Sequence, residues 1–428
     1  MYLATVRRSR PAPGDPAPAP RRRTAVGGNV LALGAVSLTT DVSAEMVTAV
    51  LPLYLVTGLH LAPAAYGLLD GLYTGATVLL RLVGGFTADR IRRRKAVAAA
   101  GYGLSAAAKL GLLATGGSAA LLGLVITVDR AGKGLRTAPR DALITLSVPP
   151  QALGRAFGVH RAMDAVGAFA GPLVALAVLT VAQQAFDAVF LASFCIAALG
   201  LVILALFVRE HRDHLPVRGV APVRAVSARD AVRLLHDPRL RRLFAAAVLL
   251  GLATVGDGFL YLLLQRRADL AVGWFPLLAV GTALAYLLLA GPLGALADRI
   301  GRLPVLLTGY AALAGAYLLV DGPLDGRARI VAVLALHGLF YAATDGLLMA
   351  LVTPALPDRL RTTGLALVQS GQALAYLASS VAFGLAWQAW GPTTATRTAA
   401  GAVLLALVTT ALLLRRPAGA PASGGDAG

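Results

Sequence analysis

Thr40-Asp41-Val42-Ser43-Ala44-Glu45-Met46 lies in the middle of an apolar run from Gly27 to Leu59, so two carboxylates sit where hydrocarbon is expected. At about 1.5 Å of rise per residue the run is long enough to cross a bilayer, and Asp41 and Glu45, four apart, share one helical face near its midpoint. Each charge there costs roughly 2.5–3.5 kcal/mol on the insertion scale, which argues against setting either one in lipid. The acids therefore face protein or water. Two readings stay open: a buried pair satisfied by an Arg that fixes helix register, or a site for a proton or cation.

The surrounding chain has the composition of a membrane protein. Its 428 residues are 57% hydrophobic and 14% charged, with a mean hydropathy of +0.72, a balance that excludes a soluble enzyme of this size. The net charge of +18 does not form a basic patch interleaved with aromatics, as nucleic-acid binding requires. It clusters between apolar spans, which is a topology signal. A single cysteine, Cys195, rules out a disulfide framework or a cysteine metal site within one chain, and its apolar surroundings read as those of a small core residue. Residues 1–26 are rich in Pro, Ala and Arg and lack the apolar core of a cleavable signal peptide. They read as a disordered basic cytoplasmic tail, and residues 416–428 as a second disordered tail.

Apolar windows of spanning length fall at about 28–57, 62–87, 96–115, 118–141, 153–181, 186–208, 241–264, 272–297, 303–320, 329–353, 362–389 and 397–414. The expected fold is all-α, with twelve transmembrane helices. Alternate connections carry most of the Arg, and by the positive-inside rule both termini are cytoplasmic; Arg266, Arg267, Arg327 and Arg329 are exceptions. A Pro- and Arg-rich loop at 209–240 divides the chain into six-helix bundles at 27–208 and 241–415. The halves repeat. Gly85-Phe86-Thr87-Ala88-Asp89-Arg90 returns as Gly294-Ala295-Leu296-Ala297-Asp298-Arg299, and Arg155 with Gly158 returns at nearly the same offset as Arg361 with Gly364. Two matches at one offset argue for a duplicated unit and two pseudo-symmetric bundles.

The repeated turn has a mechanical rationale. Gly85 and Gly294 let helices approach, Asp89 and Asp298 can meet the positive N-terminus of a helix in the other half, and Arg90, Arg93, Arg299 and Arg302 anchor at headgroups. Asp89 would then meet the start of span eleven near Arg361-Thr362-Thr363, and Asp298 the start of span five near Gly154-Arg155, when the cytoplasmic side is closed. Twelve spans in two halves with this loop twice resemble the major facilitator superfamily over residues 27 to 415. In the first copy Arg92 stands where the family motif has a second Gly; the second copy keeps Gly301 and Arg302.

Span four carries Asp129-Arg130-Ala131-Gly132-Lys133-Gly134-Leu135-Arg136, in which Arg130 and Gly134 are similar to the Arg-x-x-x-Gly motif of proton-coupled members. So many cations cannot all face lipid, and Asp41 and Glu45 are the candidates to neutralise Arg130, either as a static salt bridge or as a pair that breaks when the acid is protonated. In span five, Gly167-Ala168-Phe169-Ala170-Gly171-Pro172 resembles the Gly-x-x-x-Gly-Pro motif of antiporter-type exporters, although Leu173 and Val174 replace further Gly. The Gly pair permits close packing and Pro172 kinks the helix. His160-Arg161-Ala162-Met163-Asp164, with the first-helix motif and span four, is similar to a little-characterised prokaryotic branch of the superfamily. His160 reads as a structural hydrogen-bond partner, and Asp164 joins Asp41, Glu45 and Arg130 as a proton-coupling candidate.

The second half has fewer membrane charges. Asp257, Tyr341, Asp345, Gln369 and Gln372 are its candidates for lining a substrate cavity, with helix-to-helix hydrogen bonding as the alternative for Tyr341 and the two Gln; His337 lies in the same span as Tyr341. Spacing does not fix the depth of Asp70, Arg81 or Lys109. No phosphate-cradling Gly-Lys-Ser or Gly-Lys-Thr loop occurs, and the His residues are scattered, so no ATP use, catalytic centre, cofactor or metal is expected. The expected partners are a small-molecule substrate, protons and the lipid bilayer, with no nucleic acid, and the working unit is a monomer. The sequence thus points to a secondary transporter of the cytoplasmic membrane, with proton-coupled efflux leading. Proton-coupled or facilitated uptake and a transporter-like sensor without flux are the alternatives.

Overall fold

A computed structural model describes residues 27–75, 93–149, 152–210, 234–357 and 360–414. The two tails, most of the 209–240 linker, and Gly85, Asp89 and Arg90 lie outside the described residues. All regular structure among the described residues is helical. In a bilayer this is the form in which one segment satisfies its own backbone groups.

In the first half the helices are α1 (Gly28–Leu53, continued by a π-helical turn at Tyr54–Gly58), α2 (63–75), α3 (Arg94–Leu113), α4 (Ala119–Leu146), α5 (Leu153–Val181) and α6 (Phe186–Phe207). The second half has α7 (Pro238–Ala253), α8 (Asp257–Arg267), α9 (Pro276–Ile300), α10 (Arg302–Val320), α11 (Gly326–Thr344), α12 (Leu347–Val352), α13 (Arg361–Trp390) and α14 (Pro392–Leu414). Nine stretches among the described residues are long and apolar enough to cross a membrane, counting α7 with α8 and α11 with α12 as one each.

Local chemistry sets the helix ends. Ser118 accepts a hydrogen bond from the Leu121 N–H to open α4, and Asp237 accepts from the Arg239 N–H ahead of α7, which has Pro238 in its first turn. Two windows that read as continuous spans are broken. The stretch Thr254–Gly256 separates α7 from α8, and Asp345 with Gly346 (φ 73°) separates α11 from α12. Non-helical backbone inside an apolar run is tolerated only where protein or water satisfies the freed groups, so each break marks a place away from lipid. At the first break the Val255 N–H donates to the Tyr317 hydroxyl at 3.0 Å.

Packing in the first half centres on α1, which lies against α5 and α6, while α3 packs on α4 and α6. Glycines bring α1 and α5 to backbone contact. A Cβ at Gly167 would lie 2.5 Å from the Leu38 carbonyl oxygen, and one at Gly171 2.6 Å from the Glu45 Cβ. Ser43 and Ser193 clamp α1 to α6 by donating to each other's carbonyls at 2.7 Å. In the second half α11 packs on α9 and α10, and α7 on α13 and α14. The two halves meet where α2 crosses α13 and where α5 meets α9. Cys195, expected in the core, is instead exposed on α6.

Candidate functional site

A cavity of about 620 Å³ lies where the two halves meet. Glu45, Thr48, Asp70, Tyr73, Phe169 and Pro172 line it from the first half, and Asp257, Tyr261, Thr282, Tyr286, Tyr341, Asp345 and Tyr376 from the second. Its volume is in the range that encloses a drug-sized molecule.

Both helix breaks of the second half supply a carboxylate to this cavity. Asp257 is the first residue of α8, and Asp345 directly follows α11. Helix N-termini favour negative charge, which suits Asp257. The Tyr341 hydroxyl lies 2.7 Å from both Asp257 oxygens, and His337 Nε2 lies 3.3 Å from Oδ1. Behind His337, its Nδ1 is 3.3 Å from Thr282 Oγ1, to which the Tyr261 hydroxyl donates at 2.9 Å. The arrangement has one fully satisfied assignment with a neutral imidazole: Tyr261 donates to Thr282, Thr282 to His337 Nδ1, and His337 Nε2–H to Asp257. Every proton in the chain points toward the carboxylate, whose side chain remains 38% exposed on the cavity side. Asp345 accepts a hydrogen bond from Tyr286 at 2.9 Å.

The first-half acids divide differently. Arg130 pairs not with Asp41 or Glu45 but with its neighbour Asp129, and its guanidinium lies 3.7 Å from the centre of the Tyr73 ring. Asp129 also meets Lys109 at 3.2 Å and accepts from Ser105 at 2.5 Å. Asp41 faces Arg136 at 3.8 Å and lies within hydrogen-bonding reach of the Asp164 carboxyl, which faces Arg140 at 4.0 Å. Lys133 acts on both Asp41 and Glu45 at longer range. Glu45 reaches the cavity and makes no hydrogen bond or ion pair among the described residues. His160 is buried with neither ring nitrogen hydrogen bonded, contrary to the structural role its neighbours suggest.

The family model of the Major Facilitator Superfamily matches residues 31–282 and 259–427. The chain belongs to the major facilitator superfamily. An uncharacterised MFS-type transporter from Methanocaldococcus jannaschii is 31% identical over 371 residues, covering 84% of this chain and 88% of that protein. Among solved structures, the nucleoside transporter NupG superposes with a TM-score of 0.77 at 14% identity over 90% of this chain and 99% of its own. A POT family transporter in complex with 5-aminolevulinic acid gives 0.73 at 15% identity over 91% and 96%. These likenesses support the fold and the class of membrane transporter.

Packed side chains close one end of the cavity. At the end away from the linker, Tyr66 of the first half stacks edge-on against Phe259 at 4.6 Å, and Phe259 against Phe383 at 4.8 Å, with Trp387 at 5.6 Å. Gly67 sits on the Ser380 carbonyl and Gly384 on that of Pro63, so no side chain fits between α2 and α13 there. Asp70, whose depth the spacing left open, fastens the same seam: Ser380 donates to it at 2.5 Å and Tyr376 at 3.3 Å. At the linker end, Gly154 and Gly158 of α5 and Gly291 and Gly294 of α9 have open space beside them among the described residues.

The second copy of the repeated turn lies at the linker end. Asp298 and Arg299 are exposed, and no hydrogen bond or ion pair ties Asp298 to α5 among the described residues. Arg302 donates to the Ala350 carbonyl at 2.6 Å. In the first copy, Arg93 falls among the described residues and is exposed just ahead of α3. Neither Gln reaches the cavity lining: Gln372 packs on Gly251 of α7, and Gln369 is exposed. In α4 the close approach is made by Gly132 against Gly101, while Gly134 is buried nearby. The Arg267 and Arg329 exceptions to the charge rule are matched by Asp321 at 2.5 Å and Asp325 at 3.3 Å.

Proposed function

We propose that this protein is a secondary transporter that expels a small molecule across the cytoplasmic membrane by alternating access, driven by protons. Twelve spans in two six-helix bundles, with both termini cytoplasmic, are the architecture of the reading. The observation that carries it is the cavity itself, about 620 Å³ at the seam of two halves and closed by aromatic rings at one end. On this topology the closed end faces away from the cytoplasm. Asp41 with Asp164 is the place to load a proton, because two adjacent carboxyl groups flanked by Arg136 and Arg140 change their balance of charge sharply when one proton arrives. Glu45, one turn along α1, carries that change to the cavity wall. Efflux as the direction draws on the Gly167-x-x-x-Gly171-Pro172 motif, which here seats α5 on α1 beside Asp41 and Glu45.

Proteoliposomes test the proposal. Wild type is expected to accumulate substrate against its gradient when a pH gradient is imposed, and Asp41→Asn to keep substrate counterflow while losing that accumulation. Equal pH-driven accumulation in wild type and Asp41→Asn would remove the carboxyl pair from coupling. The sign of the gradient that drives accumulation reads out efflux against uptake.

A further inference from the structure

We propose that the cavity selects organic cations, each a lipophilic or aromatic body carrying one positive charge, seated between Glu45 of the first half and Asp257 of the second. This rests on the transporter reading and adds the chemistry of the cargo. The first ground is charge. Four carboxylates line the cavity, Glu45, Asp70, Asp257 and Asp345, and among the described residues no Lys or Arg does. The nearby Arg130 guanidinium is occupied by Asp129 and the Tyr73 ring. A solvated anion entering here would lose water and meet carboxylates and no cation at the wall among the described residues, whereas a cation finds its counter-charge already in place.

The second ground is the state of the carboxylates. Asp257 is held from behind by Tyr341 and His337, which fixes its orientation and leaves its remaining face toward the cavity. Glu45 has no hydrogen bond or ion pair among the described residues, although it reaches the same space from the opposite wall. A polar group left unanswered at the wall of a built cavity is where a ligand's own group belongs. The third ground is the rest of the lining, which includes six tyrosines. Their ring faces attract a cation and cover the apolar body around it.

The arrangement also says why such a cargo would be moved. Carboxylates from opposite halves repel as the linker end closes, and a cation between Glu45 and Asp257 removes that repulsion, as protons on the acids would. A cation at Glu45 and a proton arriving through Asp41 and Asp164 then relieve the same repulsion in turn, which couples the exchange of one for the other.

Purified protein in detergent, with equilibrium binding of tetraphenylphosphonium, tetraphenylborate and neutral triphenylphosphine oxide, tests this. The first two probes are close in shape and opposite in charge. Saturable binding of the phosphonium alone is expected, weakened at least about tenfold by Asp257→Asn, as loss of a charged partner requires, and about threefold by the more exposed Asp345→Asn. Asp257→Glu, which keeps the charge, should retain more affinity than Asp257→Asn, and each variant is checked by melting temperature and elution profile. Borate or neutral probe binding as well as the phosphonium, no saturable phosphonium binding to folded wild type, or unchanged affinity in both Asp257→Asn and Glu45→Gln would overturn the proposal. Phosphonium binding without counterflow would keep the cation site and sink transport; flux of a neutral solute without phosphonium binding would do the reverse.

Discussion

In the first half Asp129 is held by Lys109, Arg130 and Ser105, and Asp41 and Asp164 face Arg136 and Arg140, so the acids behind the cavity wall meet cationic side chains, whereas Glu45 and Asp70 at the wall do not. In the second half Asp257 is met by a tyrosine and a histidine, and Asp345 by a tyrosine. The backbone differs in the same sense. The first-half acids ride on unbroken helices, whereas Asp257 and Asp345 sit at interruptions. Charge compensated from within holds a fold together; charge left facing a cavity is available to something that comes and goes. Apart from Glu45 and Asp70 at the cavity wall, the first half therefore reads as the tightly wired member of the pair and the second as the receptive one.

The comparison breaks most visibly at Asp129. Replacing it by Asn strands Lys109 and Arg130, each 4% exposed, and should cost about 3–5 kcal/mol, seen as a large drop in melting temperature in detergent. Asp257→Asn should leave the melting temperature nearly where it was. If both variants melt alike, the division of labour between the halves fails. A smaller loss is expected at the α1–α5 contact, where Gly171→Leu overpacks a site with no room and should destabilise by about 1–3 kcal/mol, while Gly294→Leu, in open space, should not. Tyr341→Phe sharpens the comparison within the receptive half. It removes the donor to Asp257 without touching the fold's charge balance, and should weaken tetraphenylphosphonium binding up to about tenfold with little change in melting temperature. The smallest effect is at Cys195, exposed on α6, where Ser should leave stability and binding unaltered.

Much of this was legible in the sequence because acids in apolar runs are rare enough to stand out. Asp41, Glu45, Asp164, Asp257 and Asp345 all emerge that way, and three of them line the cavity, Glu45, Asp257 and Asp345, together with Tyr341, which stands out as a polar group in the same span as Asp345. The partner of Arg130 was not legible. Adjacent helical residues point to different faces, so Asp129 is a poor guess by periodicity, yet the long Arg side chain turns back to reach it. The breaks at Thr254–Gly256 and Asp345–Gly346 had a signal in Gly256 and Gly346, but hydropathy averages over a single glycine and reports one span. Gln369 and Gln372 failed because polarity alone does not say which neighbour a residue faces. Asp70 was undecided for a related reason: its worth lies in Ser380 and Tyr376, some three hundred positions away in the chain.

The seating of Gly167 and Gly171 on α1 has a consequence for motion. With no side-chain cushion between these helices, α1 has no freedom to slide or roll on α5, and the acids it bears keep their depth relative to that helix. On the proposed function, a proton taken up at Asp41 is then a passenger on a solid block, and the travel that would expose it to the other compartment falls to the seams at α2 with α13 and α5 with α9.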